Sequence, residues 1–258
     1  MKIHQIYTNS SLRNFTYIIE LLNKNAIVID PWNETLVNDF IYKNGLIITT
    51  IINTHEHWDH TQGNQALVNE HGCEVWAHNN GIGKIPGLSR SLKSNERINI
   101  EEGCVIEVLD TPGHCQAHLC FIVHHNEKPE YIFTGDILFN AGVGNCHGGS
   151  VSDMFDTIQE KFVNLPDDII ILPGHDYLEN NLNFTLSREP TNNSAKQWLV
   201  KYKNSDVNIN PLKTTMADER QINTFFRLQN SEVRQNLPTS ANSDKDVFVS
   251  LRSLRDNW

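Results

Sequence analysis

The stretch Thr54-His55-Glu56-His57-Trp58-Asp59-His60 places three histidines and an aspartate within six residues. It follows the apolar run 46–52, which reads as a buried β-strand. The cluster therefore belongs to a loop at a strand's C-terminal end, where open α/β sheets place their chemistry. His55 and His57 differ by two positions and can point the same way. Asp59 and His60 lie further along the turn and can aim at a second point nearby. Imidazole and carboxylate together suit zinc, iron or manganese. The helical zinc motif H-E-x-x-H is excluded, because Asp59 stands where its second histidine would be.

Three later sites repeat the pattern of a ligand-type residue directly after glycine at the end of a strand. They are Asp110-Thr111-Pro112-Gly113-His114, Phe133-Thr134-Gly135-Asp136 and Leu172-Pro173-Gly174-His175. Gly135 permits a close backbone approach. The candidate ligands then number seven: His55, His57, Asp59, His60, His114, Asp136 and His175. That is too many for one tetrahedral ion and suits two. One ion would take His55, His57 and His114, the other Asp59, His60 and His175, with Asp136 bridging. His118 is expected to support a ligand or fill the core. His147 lies in a Gly-rich loop and stays open. His4, His71, His78, His124 and His125 read as surface or structural.

The elements that must position these residues follow from pattern. Strands are expected at 3–7, 15–22, 26–30, 74–78, 105–109, 119–123, 131–133 and 168–172. Helices are expected at 34–43, ended by Gly45, and at 63–70. Residues 79–99 read as a long loop near a site. A Gly-rich loop at 141–150 leads to a helix with Ser152 as N-cap. After residue 175 helical spacing dominates, at 179–188, 194–203, 217–226, 230–236 and 244–256. The expected organisation is a two-sheet α/β metal-binding domain at 1–175 and a helical domain at 176–258.

The chain has 258 residues, a formal charge of −10 and a pI near 5.6. This balance argues against nucleic-acid or anionic-membrane partners, which call for basic patches. The five cysteines include no C-x-x-C pair, which suits a reducing compartment. No secretory leader and no run of about 18 apolar residues stands out. A cytoplasmic monomer is expected.

Taken together, T-H-E-H-W-D-H, T-P-G-H, T-G-D and P-G-H-D resemble the metallo-β-lactamase superfamily, which implies an αββα sandwich. Within it the whole chain resembles glyoxalase II, the hydroxyacylglutathione hydrolases. The similarity includes Phe133-Thr-Gly-Asp-Ile-Leu-Phe139, Gly174-His-Asp-Tyr-Leu-Glu-Asn-Asn-Leu182, Arg188-Glu-Pro190 and the ending from Phe248 to Trp258. It implies a binuclear thioester hydrolase cleaving S-D-lactoylglutathione to D-lactate and glutathione, in methylglyoxal detoxification. It implies two divalent ions, zinc first with iron or manganese as alternatives, and catalytic roles for Asp59 and Asp136. It assigns glutathione binding to Tyr177, Arg252 and Arg255. At two further substrate-binding positions the family carries a cation and an aromatic; here they are Asn145 and His147. The rival readings are a mononuclear-iron persulfide dioxygenase and a hydrolase of another thioester. The helical tail argues against the first.

Overall fold

The computed structural model describes residues 1–258. Its first six strands form one sheet in chain order: β1 (Lys2–Tyr7), β2 (Phe15–Glu20), β3 (Asn25–Ile29), β4 (Ile47–Ile52), β5 (Glu74–His78) and β6 (Leu88–Leu92). The first three pair antiparallel, and β3 to β6 pair parallel. Parallel neighbours need crossovers. These are α1 (Glu34–Asn44) between β3 and β4, then α2 (Trp58–Thr61) and α3 (Asn64–His71) between β4 and β5; the short β5–β6 connection holds a 3-10 turn, Asn79–Gly81. Asn33 caps the start of α1, and Gly45 ends it in the left-handed conformation.

The second sheet runs β13-β10-β9-β8-β7. It comprises β7 (Arg97–Glu101), β8 (Cys104–Asp110), β9 (Leu119–His125), β10 (Lys128–Gly135) and β13 (Ile170–Pro173). Between β10 and β13 come the hairpin β11 (Leu138–Phe139) and β12 (Gly142–Val143), then α4 (Val151–Thr157). Side chains alternate across each strand. Phe15, Tyr17 and Ile19 therefore meet Phe121, Val123 and Phe133 between the sheets. Ile18, Val28 and Ile51 face outward onto Val37, Ile41 and Leu67 of the helices. On the other side Cys120, Ile122, Ile132 and Ile171 face Phe162, Phe184, Phe248 and Leu251. The result is four layers, helices outside two facing sheets.

The C-terminal helices are α5 (Leu178–Arg188), α6 (Asn193–Lys203), α7 (Met216–Ile222), α8 (Ser231–Gln235) and α9 (Asp244–Asp256). Capping boxes at Thr215/Asp218 and Ser243/Asp246 set the starts of α7 and α9. Val247, Phe248 and Leu251 of α9 are fully buried against the second sheet. Each such side chain contributes about 1.5–3 kcal/mol. No helix is long and apolar enough to cross a membrane.

Three expectations need correction. Residues 79–99 contain β6 and the start of β7, not one long loop. Both are sheet edges with polar outer faces. Ser89 and Ser91 are exposed, while Arg90 is covered by stacking on Trp76 at 4.3 Å, so polar composition hid the strand. Ser150, not Ser152, caps α4, because its hydroxyl accepts from the Asp153 N–H. The helix expected over 217–226 breaks at Asn223, whose side chain caps a following 3-10 turn, Thr224–Phe226.

Candidate metal centre

Four strand ends converge on one rim of the sandwich. The loops after β4, β8, β10 and β13 bring two triads together. His55, His57 and His114 form one, and Asp59, His60 and His175 the other, with donor atoms in each within 4.8 Å of one another. His57 Nδ1 lies 3.0 Å from His55 Nε2 and 2.9 Å from His114 Nε2. His60 Nε2 and His175 Nε2 are 3.2 Å apart. Asp136 lies between the triads. Its Oδ1 is 3.4 Å from His60 Nε2, and its Oδ2 is 3.2 Å from His175 Nε2 and 3.6 Å from His114 Nε2.

Nitrogens roughly 2.0–2.1 Å from one zinc stand roughly 3.3 Å apart at the tetrahedral angle. The nitrogen–nitrogen spacings of 3.0, 2.9 and 3.2 Å lie just below that value.

The outer ring nitrogens decide which atoms face inward. His114 Nδ1 donates to Asn145 O at 2.8 Å, and His175 Nδ1 to Leu12 O at 2.7 Å. His60 Nδ1 donates to Asp30 Oδ2 at 2.9 Å. His55 Nδ1 donates to Thr54 Oγ1 at 2.9 Å, which donates to Asp30 Oδ2 at 2.6 Å. Carbonyl and carboxylate oxygens only accept, so the Nδ1 protons are fixed and the Nε2 lone pairs point at one another. That arrangement is favourable when a cation sits among them.

The electrostatics agree. Burial, reinforced by the charge of His60, holds His55 well below the usual imidazole range. Burial also lowers His114. Burial opposes charge on His60 too, but Asp136 and Asp30 outweigh it and push it well up. Burial alone would raise Asp136, yet His175 and His60 hold it well below the usual carboxylate range. Its Oδ1 is buried and has no hydrogen-bond donor. The pocket thus offers neutral imidazoles at His55 and His114, a strongly negative field around His60 and an orphaned carboxylate oxygen, surroundings that fit divalent metal ions.

Gly174 makes room for this packing. A Cβ there would stand 2.7 Å from His60 Cε1 and would overlap Asp136 Oδ1. Gly135, at φ +46°, lies under Thr54 Oγ1 and His118 Nε2 in the same way.

His118 is buried and supports a ligand. Its Nδ1 bonds Thr111 Oγ1 at 2.8 Å, and its Nε2 accepts from the Asp136 N–H at 3.2 Å. His124 is buried against Glu107 at 2.8 Å. Sequence reasoning missed Asp30, at the end of β3, which orients ligands of both triads. It also missed Asn14, whose Nδ2 donates to Asp59 O and Oδ2, each at 3.0 Å.

The residues expected to bind substrate are placed unequally. Tyr177 stacks flat on His175, with ring centroids 4.9 Å apart, and meets Phe139 edge-on at 5.1 Å. Arg255 is half-buried and reaches Asn181 Oδ1 at 3.2 Å. Arg252, which the resemblance assigned to glutathione, has its guanidinium occupied within the chain. It is 3% exposed and its Nη1 donates to Val143 O and Gly144 O at 2.9 and 2.8 Å. Its Nε and Nη2 pair with Asp256 at 3.2 and 3.0 Å. A helix face that packs on a neighbour spends its guanidinium there. Asn145 and His147 lie on the loop after β12, where Asn145 Oδ1 accepts from the His147 N–H at 3.1 Å.

Comparison with known proteins adds to this geometry. Residues 176–258 match the model described as the hydroxyacylglutathione hydrolase C-terminus. Residues 12–175 match that of the metallo-β-lactamase superfamily. The hydroxyacylglutathione hydrolases of Nitrosococcus oceani and of a Polaromonas species are each 40% identical, over 266 and 269 residues, and each alignment covers 100% of both chains. Among solved structures, ETHE1 from Myxococcus xanthus shares the fold at TM-score 0.69 and 22% identity, covering 98% of this chain and 91% of that one.

Proposed function

This chain belongs to the hydroxyacylglutathione hydrolases, thioester hydrolases of the metallo-β-lactamase superfamily, and we propose that it cleaves S-D-lactoylglutathione to D-lactate and glutathione with two ions bound. The observation that carries this reading is the pair of triads meeting at Asp136. His55, His57 and His114 would hold one ion, Asp59, His60 and His175 the other, and Asp136 both. Three nitrogens in one triad and two with a carboxylate in the other favour zinc, with iron or manganese as alternatives. Such ions acidify water and polarise a carbonyl.

The chain's own groups do the rest. Asp136 presents Oδ1 toward His60 and Oδ2 toward His175 and His114, so one carboxylate serves both triads. Asp59 is held in one orientation by Asn14. The leaving thiolate needs no strong general acid, since an ordinary thiol has a pKa of about 8.5. Tyr177 and Arg255 stand beside the centre to receive glutathione, with Asn145 and His147 on the facing loop. Arg252 fixes that loop through its carbonyls. We take residues 1–175 as the catalytic domain and 176–258 as the substrate-binding domain.

All seven ligands come from one chain, so a single copy completes the centre. The five thiols are unpaired and suit the cytoplasm.

The test joins elemental analysis with a thioester assay. Metal-replete protein should carry close to two equivalents and hydrolyse lactoylglutathione. One firm equivalent, with oxygen-dependent persulfide oxidation, would move the assignment to a mononuclear dioxygenase.

A further inference from the structure

The loop between β1 and β2 carries no predicted ligand, yet it touches two of them. Leu12 O accepts from His175 Nδ1 at 2.7 Å. Asn14 Nδ2 donates to Asp59 at 3.0 Å. Both contacts fall on the same triad. The other triad is steadied elsewhere, by Asn145 O on His114 and Thr54 on His55.

Between Leu12 and Asn14 stands Arg13, at φ +62°. A long side chain in the left-handed region persists only where its surroundings over-determine it. Here they do. Arg13 Nε donates to Asp176 O at 2.9 Å, and the Asp176 N–H donates back to Arg13 O at 2.9 Å. Arg13 Nη2 pairs with the buried Asp176 carboxylate and lies 2.9 Å from the Tyr202 hydroxyl. That hydroxyl closes the triangle on Asp176 Oδ2 at 2.9 Å. Phe15 N and Gly174 O, at 2.8 Å, continue the seam toward the pocket. Tyr202 belongs to α6, so the chain of contacts runs from the C-terminal helices to the centre.

We propose that Arg13, Asp176 and Tyr202 form a latch that positions the Asp59–His60–His175 half of the centre and leaves the other half unaffected. The latch rests on the two-ion reading. None of its side chains touches substrate or ion. Its role is to hold a strained turn whose neighbours on either side aim His175 Nε2 and the Asp59 carboxylate. Losing a partner that orients a metal ligand typically weakens metal binding about 10- to 100-fold.

The experiment titrates zinc into metal-free wild type, Asp176→Asn and Tyr202→Phe against a chromophoric chelator, with thermal melting of each metal-free protein alongside. Wild type should take two equivalents. Asp176→Asn should keep the first and bind the second about 10- to 100-fold more weakly. Tyr202→Phe, which removes one hydroxyl, should shift the same equivalent by less. If Asp176→Asn melts away when metal-free, Tyr202→Phe alone decides. Equal weakening of both equivalents, or of neither, in a folded variant overturns the latch and leaves the two-ion reading standing. A wild type that takes a single equivalent overturns the two-ion reading and the latch with it.

Discussion

Replacing Asp30 with asparagine tests whether ligand orientation depends on a residue outside the seven candidate ligands. The carboxylate is buried and bonds three groups: Thr54 N at 2.8 Å, Thr54 Oγ1 at 2.6 Å and His60 Nδ1 at 2.9 Å. A backbone N–H can only donate, so in Asp30→Asn the amide oxygen stays on Thr54 N. The amide nitrogen then takes the place of Oδ2 and becomes a donor. His60 Nδ1 must now accept, and its proton moves to Nε2, which faces His175 and Asp136. Thr54 Oγ1 now receives a proton from the amide, so its own hydroxyl turns to the nearest other acceptor, His55 Nδ1 at 2.9 Å. That moves the His55 proton to Nε2 as well. One ligand in each triad is left with a proton where its lone pair was.

Each such loss is worth roughly 10- to 100-fold in metal affinity, and two on separate ions multiply to roughly 10²- to 10⁴-fold. Because Thr54 N keeps its bond, the fold should survive. Chelator competition measures both equivalents, and lactoylglutathione turnover should fall in parallel and recover partly with excess zinc. Wild-type affinity at both equivalents, in folded Asp30→Asn, would refute the tautomer argument.

Asp136→Ala removes the carboxylate that reaches both triads and should cost at least about 10²-fold in turnover, whereas His125→Ala, at an exposed site, should not change it. Arg255→Ala should raise KM for the glutathione thioester and leave kcat nearly constant, because the contact is remote from the bond broken. Arg252→Ala should instead lower the melting temperature, since it orphans the buried Val143 and Gly144 carbonyls at about 1–3 kcal/mol. Asn145→Lys should lower KM several-fold at low salt, the difference of about 1 kcal/mol between a charge-assisted and a neutral hydrogen bond; an unchanged KM would separate Asn145 from the carboxylates of the substrate.

The candidate ligands were legible because chemistry and chain geometry coincide in them. His114, Asp136 and His175 each follow a glycine at a strand's end, and the glycines are there because a Cβ would collide. Asp30 ends a strand too, but Pro31 follows it and no glycine precedes it, so the same pattern passed over it. Leu12 was out of reach for another reason. It acts through its carbonyl, and any residue type supplies one. The strands in 79–99 escaped because their outward faces are polar and a stacked arginine stands in for an apolar residue. The i, i+3 spacing of Arg252 and Arg255 puts them on one face of α9. It carried no information about what that face packs against.

That last point bears on how the two parts of the chain cooperate. The C-terminal helices contribute none of the seven ligands, yet two of their side chains end close to ligands. Arg252 of α9 grips Val143 O and Gly144 O, and the next carbonyl, Asn145 O, orients His114 in the first triad. Tyr202 of α6 grips Arg13 and Asp176, whose neighbours orient His175 and Asp59 in the second. The shared core of Ile122, Ile171, Phe184 and Phe248 keeps α5 and α9 in fixed register with the second sheet, and α6 packs on α5 through Ala195, Leu178 and Leu182. A helical region that only gripped glutathione could sit loosely on the sandwich. One that also sets carbonyls against imidazoles has to be packed into it, and the buried arginine of α9 meets that second demand while Arg255, one turn on, is left for the first.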